Sequence, residues 1–331
     1  MTSLAIFIAQ ADAAATGGSA LDRFVTILGR GLAQGSIYAL VALGFVLVFK
    51  ATQAVNFAQG AIGLVTAWFF SMLLVDWDIP GRWLGDNAYV NWFSTLVVAI
   101  ALAAVFGLAI ERSIIRPMIG EPLFSIAVIT LGLDAVLRTI GADAVIINNR
   151  SLEIPWGADQ IDVGGATIYW SWVVTVAAAA LAFVAVFFFF RTRTGIAMRA
   201  VAFDQEAALA QGISVGRVFA IAWGAAGALA MIAAVCASMS PIGVGTVTLG
   251  TSALALRALP AVILGGLDSV QGALVGGLIM GLAEVLAGNY LATYTDTLGT
   301  GYALIVPYVV MLLILVIRPY GLFGTPEIRR V

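Results

Sequence analysis

The chain has 331 residues, of which 62% are hydrophobic and 10% charged, and its formal net charge is −2 at pH 7. The mean hydropathy of +1.05 excludes a soluble globular protein, because no water-exposed surface could be built from such a composition. The sequence has no histidine, no glycine-rich phosphate loop before its single lysine and no arginine stripe. We therefore expect no metal, no cofactor, no ATPase activity in this chain and no nucleic-acid partner.

The N-terminal residues 1–23 are predicted to be a lead-in, since their short apolar stretch lacks the basic segment of a secretory signal. Residues 24–331 are predicted to form a single transmembrane domain. A bilayer core requires about 20 apolar residues per helix, so this length accommodates eight or nine spans with short connections.

Nine apolar runs follow one another along the chain, and together they predict an all-α, polytopic transmembrane helical bundle of about eight or nine spans. The runs lie at 24–49, 54–75, 93–110, 123–140, 169–190, 217–239, 253–267, 270–288 and 302–317.

Two of these runs are candidates for broken or re-entrant elements. The run 123–140 carries Asp134 and Arg138, which are one helical turn apart and can neutralise each other. The run 253–267 is short and is interrupted by Pro260.

Charge predicts the orientation, because short cytoplasmic connections carry an excess of Arg and Lys. Arginine is concentrated in residues 191–217, whereas Asp and Glu dominate 76–92 and 141–168. We therefore expect 191–217 and the C-terminus in the cytoplasm and the N-terminus outside.

The cytoplasmic connection 191–217 contains a predicted helix. Asp204 is placed as its N-cap, Glu206 lies in the first turn where a carboxylate complements the helix dipole, and Gly212 is placed to end it. From these residues alone the segment is either a docking element or an ordinary solvated loop.

Polar residues in the first two spans are candidates for a substrate pathway, although structural roles remain open. Asn56 and Gln59 stand beside Gly60 at the entry of the second span, where unpaired helix N-terminal amides can meet a substrate carboxylate. The candidates in the first span are Gln34, Ser36 and Tyr38.

The segment Glu206-Ala207-Ala208-x-x-x-Gly212 resembles the front half of the EAA loop, by which bacterial ABC importer permeases engage their ATPase subunits. The proline-containing back half of that loop is missing. Further stretches over nearly the whole chain are similar to the branched-chain amino acid permease family, closer to the first of its two permease types. These stretches are Gly31 to Leu40, Val55 to Gly60, Glu111-Arg112, Arg116-Pro117 and Arg318 to Gly324.

The resemblance implies an ABC importer permease fold in a bacterial inner membrane. It implies a transport subunit without enzymatic activity that works with two cytoplasmic ATP-binding subunits, a second related or identical permease, a substrate-binding protein and membrane lipid. The coupling residues implied are Gly195, Arg199, Asp204, Glu206, Ala207, Ala208 and Gly212. The substrates implied are branched-chain amino acids or related small amino acids and amides.

Three alternatives stay open at this point. A permease of the same family for urea, amides or aromatic acids fits the same motifs, and Gln59, where many relatives carry histidine, leaves the substrate open. An ion-coupled secondary transporter would not need the 204–212 helix. An intramembrane enzyme is disfavoured, because Ser238 and Ser240 have no visible base partner.

Overall fold

The computed structural model describes residues 19–147, 150–295, 299 and 301–324. The lead-in predicted for residues 1–23 therefore lies largely outside the described residues. The described chain is helical almost throughout, which confirms the all-α class. In chain order the helices are α1 (Ala20–Thr52), α2 (Gln59–Val75), α3 (Gly81–Leu84), α4 (Ala88–Ile110), α5 (Leu123–Ile147), α6 (Trp170–Phe189), α7 (Arg193–Phe203), α8 (Gln205–Ala210), α9 (Val215–Ser238), α10 (Leu254–Gly265), α11 (Val270–Tyr290) and α12 (Tyr302–Ile317).

Each of the nine predicted apolar runs coincides with a helix of the described chain. Among the described residues, six helices are long and apolar enough to cross a membrane, namely α1, α4, α5, α6, α9 and α11. Three shorter apolar helical segments accompany them: α2, α12, and Leu249–Gly265, in which a 3₁₀ turn leads into α10. The chain is therefore a polytopic helical membrane protein.

The two runs that were candidates for a break differ in outcome. The helix α5 runs without interruption from Leu123 to Ile147, so the expectation of a broken element is wrong there. Asp134 and Arg138 form an ion pair of 2.7 Å on successive turns, and this neutralisation removes the need for a break. The other segment is short, since α10 has only 12 residues and contains Pro260.

The first helix begins earlier than hydropathy predicts. Ser19 and Asp22 form a capping box, in which the Ser19 N–H donates to Asp22 Oδ2 at 2.6 Å and the Asp22 N–H donates to Ser19 Oγ at 3.3 Å. This cap starts α1 at Ala20, four residues before the predicted apolar run.

Small residues let α11 approach two neighbours at once. A Cβ atom on Gly281 would lie 2.1 Å from the Gly35 nitrogen of α1, and one on Gly277 would lie 2.5 Å from the Ala39 nitrogen. On its other side, a Cβ atom on Gly276 would lie 2.2 Å from the Ala261 oxygen of α10. The glycine spacing therefore serves helix packing.

A two-stranded antiparallel hairpin interrupts the helical pattern between α5 and α6. Its strands are β1 (Gln160–Val163) and β2 (Ala166–Tyr169), joined by Gly164 and Gly165, which both have positive φ. The Gly-Gly pair is the signal that would have predicted this turn. The hairpin packs on α1, where the Thr167 N–H donates to Thr26 Oγ1 at 3.1 Å.

The connections expected outside the membrane contact one another. Arg150 pairs with Asp76 at 2.6 Å, and the Leu152 N–H donates to the Gly245 oxygen at 2.9 Å. The Ser171 hydroxyl donates to the Ser240 oxygen at 2.6 Å. Polar contacts therefore hold these connections together.

Candidate functional site: an extramembrane docking segment and its attachment

The connection between α6 and α9 contains two helices rather than the one predicted. The first, α7, begins after its N-cap residue Thr192, whose hydroxyl oxygen accepts a hydrogen bond from the Gly195 N–H at 3.3 Å. A Cβ atom on Gly195 would lie 2.4 Å from the Phe189 oxygen, so only glycine lets α7 turn back this closely against the end of α6. Arg199 donates to the Phe190 oxygen at 3.4 Å and ties α7 to the same place.

Asp204 separates the two helices and caps the second. Its extended backbone ends α7, and its carboxylate Oδ1 accepts from the Ala207 N–H at 2.9 Å. Glu206 lies in the first turn of α8, where a carboxylate interacts favourably with the helix dipole. The structure confirms the predicted N-cap.

Gly212 ends α8 as the sequence predicts. Its φ is +79°, a conformation that favours glycine, and its N–H donates to the Leu209 oxygen at 2.9 Å. The Ile213 N–H donates to the Ala208 oxygen at 3.0 Å, which completes a Schellman motif. A helix of six residues is thus fixed at both ends by its own side chains and backbone.

Two of the large apolar side chains exposed on this connection lie on α8 or directly before it. Phe203 is 95% exposed and Leu209 is 53% exposed, whereas Ala208 between them is buried. Neither side chain is predicted as a functional residue from the sequence, although a Phe and a Leu among the polar residues of a charged connection are the signal. Large apolar side chains exposed next to a charged connection are candidates for a contact with another protein.

The inner side of the segment rests on the bundle. Met198, Val201 and Ala208 are buried in one apolar cluster with Ile115 after α4 and Val215 at the start of α9. A displacement of α7 or α8 therefore acts on the ends of two membrane helices.

Arg116 joins those two ends, because it pairs with Glu111 after α4 and donates a hydrogen bond to α9. Glu111 is 1% exposed and lies in a π-helical turn after α4, and both its oxygens accept from Arg116 at 3.0 Å. Arg116 also donates to the Gly216 oxygen in the first turn of α9 at 3.2 Å. The bidentate geometry fixes the α4 end against the α9 start.

The pathway candidates around α2 are buried and paired. The Asn56 amide donates to Gln59 Oε1 at 3.0 Å and accepts from the Ala58 N–H at 3.1 Å, while the Gln59 amide donates to the Ala226 oxygen of α9 at 3.0 Å. A Cβ atom on Gly60 would lie 2.0 Å from the Ser252 oxygen. The amides expected to face a cavity are thus satisfied within the protein, and access to a substrate would require α2 and α9 to separate.

The three candidates on α1 do not behave alike. Tyr38 is fully buried and its hydroxyl donates to Glu284 of α11. Gln34 lies one turn before Tyr38 on the same face and is half-buried, whereas Ser36 is buried between them in the chain. Within the described part of the chain, no group of three or more acidic or thiol side chains is arranged to hold a metal ion.

The apolar helices define a multi-pass membrane protein, in which a doubly capped helical segment connects α6 and α9. The family model described as the permease component of a branched-chain amino acid transport system matches residues 27–315. The chain therefore belongs to this family and is a permease component.

Curated relatives cover nearly the whole chain. The high-affinity branched-chain amino acid transport system permease protein LivH of Escherichia coli K12 is 29% identical over 319 residues, which cover 93% of this chain and 98% of LivH. BraD of Pseudomonas aeruginosa, named in the same way, is 28% identical over 91% of this chain and 96% of its own. A probable LivH of Methanocaldococcus jannaschii is 28% identical over 90% and 92%. No solved structure matches significantly.

Proposed function

We propose that this permease forms the translocation pathway of an ATP-driven ABC importer for branched-chain amino acids. The observation that carries the proposal is the short, doubly capped α8 with exposed Phe203 beside it, because this segment offers a rigid apolar contact outside the membrane and rests on α4 and α9. The names of the curated relatives support the substrate class.

The partners follow from this role. Two cytoplasmic ATP-binding subunits bind the α7–α8 segment, a second permease completes the pathway, and a binding protein delivers the substrate to the opposite face. The segment and the C-terminus then lie in the cytoplasm, in agreement with the arginine content of 191–217. ATP hydrolysis belongs to the separate subunits, and this chain performs no chemistry.

The coupling residues have distinct tasks in this proposal. Phe203 and Leu209 contact the ATP-binding subunit, Asp204 and Gly212 hold α8 rigid, and Gly195 keeps α7 against α6. A rigid element transmits a displacement, whereas a disordered loop would absorb it. The remaining residues of the set, Arg199, Glu206, Ala207 and Ala208, position or cap the two helices.

The proposal is tested in proteoliposomes that contain the permease, its ATP-binding subunits, its partner permease and the binding protein. We expect uptake of labelled leucine that requires ATP and continues in the presence of an uncoupler. Uptake that collapses with the uncoupler but survives ATP depletion would identify a secondary transporter instead. Competition by urea, short amides or aromatic acids in the same vesicles distinguishes the other substrates of the family.

A further inference from the structure

Polar side chains of two helices, α1 and α10, converge on Glu284 of α11. The Tyr38 hydroxyl of α1 donates to Glu284 Oε2. Arg30 of α1 and Arg257 of α10 both act electrostatically on the same carboxylate. Arg30, Gln34 and Tyr38 follow one another at intervals of four residues and therefore line one face of α1. We call these five residues the Glu284 cluster.

The cluster is held in a fixed geometry by the backbone. A Cβ atom on Gly35 would lie 2.7 Å from Leu278 Cα, and one on Gly281 would lie 2.1 Å from the Gly35 nitrogen, so the backbones of α1 and α11 touch one turn away from Tyr38. Tyr38 lies close to the middle of the 33-residue α1. The tyrosine–carboxylate contact is thus placed at depth in the bundle, where a site can be reached alternately from both faces.

One side of the cluster is open in the single chain. Tyr38 is fully buried, but Gln34, Arg257 and Glu284 are only half-buried. Charged groups at membrane depth are costly when they face lipid, so this opening must face a polar, water-filled space or another subunit. The ion pair Asp134–Arg138 of α5 offers a contrast, because its two charges neutralise each other on one helix.

The charge set of the cluster is complementary to a zwitterion. It holds a carboxylate, which binds an ammonium group, and two guanidinium groups, which bind a carboxylate in bidentate fashion. A free α-amino acid carries both partners on adjacent atoms, whereas urea and neutral amides carry neither charge.

We propose that the Glu284 cluster is a binding site in the translocation pathway, and that it binds the ammonium and carboxylate groups of the transported amino acid. Glu284 receives the ammonium group and Arg257 the carboxylate, and Tyr38 orients Glu284. This assignment rests on the proposed function, and it deepens that function by placing the substrate head group between α1, α10 and α11.

Two variants separate charge recognition from simple packing. Glu284→Gln keeps an acceptor for the Tyr38 hydroxyl but removes the charge, whereas Tyr38→Phe removes the hydroxyl and keeps the charge. In the reconstituted importer we expect Glu284→Gln and Arg257→Gln to lower the maximal rate of leucine uptake by about tenfold or more. Tyr38→Phe should lower it only about two- to threefold. ATP hydrolysis stimulated by the binding protein should continue in all three, so the number of leucine molecules moved per ATP falls.

The matched control is the double variant Asp134→Asn/Arg138→Gln, which removes an intramembrane ion pair elsewhere and should leave leucine uptake per ATP unchanged. If Glu284→Gln fails to assemble, Arg257→Gln decides the question. Assembled variants that import leucine with the wild-type rate and ATP ratio would overturn the site while leaving the proposed function intact. A larger loss with Tyr38→Phe than with Glu284→Gln would also overturn it. Absence of leucine uptake by the wild-type importer contradicts the proposed function itself.

Discussion

The helices α1 and α6 are both apolar enough to cross a membrane, yet they occupy opposite environments. In the most apolar stretch of α1, 89% of the residues are buried within the protein, against 22% in α6, which is the more apolar of the two. Lipid tails accept apolar side chains as readily as a protein interior does, so hydropathy does not decide which helix is central. Glycine distinguishes the two helices, because Gly31 and Gly35 let α11 approach α1, whereas α6 contains no glycine and exposes Leu181, Val184 and Phe188.

The largest effect is expected when leucine replaces a glycine at a close helix contact rather than a glycine on an exposed helix surface. Gly281→Leu places side-chain atoms where a Cβ alone would lie 2.1 Å from the Gly35 backbone, so we expect loss of folded protein from the membrane or a large fall in the melting temperature in detergent. The control is Gly132→Leu in α5, where a Cβ meets nothing within 4 Å. That variant should fold as well as the wild type. Equal melting temperatures for the two variants would contradict the packing account.

Exposure has a different meaning on α6 and on the docking segment. Leu181 is 71% exposed on a helix long and apolar enough to cross the membrane, whereas Phe203 is 95% exposed in the proposed docking segment. We expect Phe203→Ala to lower ATP-driven uptake by about tenfold or more, because truncating an aromatic anchor removes a main contact of an interface. Leu181→Ala should change uptake little. Binding of the ATP-binding subunits to solubilised permease measures the same loss directly, and equal binding by both variants would refute the anchor role.

A smaller effect is expected when the contact between the docking segment and the membrane helices is weakened. Glu111→Gln removes the charge that holds Arg116 and should lower the free energy of unfolding by about 1–2 kcal/mol, since Arg116 is partly exposed. The ratio of leucine moved to ATP hydrolysed should fall as well. Arg112→Gln, at an exposed neighbouring position, should stay within about 0.5 kcal/mol of the wild type. A Glu111→Gln variant with normal coupling would show that this ion pair only stabilises the fold.

The smallest effect is expected at the helix cap. Asp204→Ala removes the acceptor for the Ala207 N–H and should destabilise α8 by about 1 kcal/mol, detectable as faster amide hydrogen exchange. Asp162→Ala is the matched control, because Asp162 caps the Gly165 N–H at 2.8 Å in the hairpin on the opposite face. Both variants should loosen their own segment, but only Asp204→Ala should reduce uptake per ATP. Equal uptake per ATP by the Asp204→Ala and Asp162→Ala variants would show that the stability of α8 does not affect coupling.

Much of the fold could be predicted from the sequence, because the bilayer imposes helices and each apolar run marks one. Asp204 and Gly212 were also predictable, since caps depend on local chemistry. The Tyr38–Glu284 contact was not, because it joins residues 246 positions apart and depends on how α1 and α11 pack. The separate α7 was missed because Asp204 both ends one helix and begins the next, and the pairing of Gln59 with Ala226 depends on the approach of α9.

The central claim is that an ATP-binding subunit binds the α7–α8 segment and displaces it during transport. Site-directed cross-linking tests this claim most directly. Cys236 is buried and is the only cysteine, so Cys236→Ala gives a background without thiols. In this background Ala207→Cys should form a cross-link to the ATP-binding subunit, and the cross-link should stop uptake until it is reduced. Gly157→Cys, in the connection on the opposite face, should form none. A cross-link from position 157 to the ATP-binding subunit, or none from 207 in a transporting complex, would contradict the account.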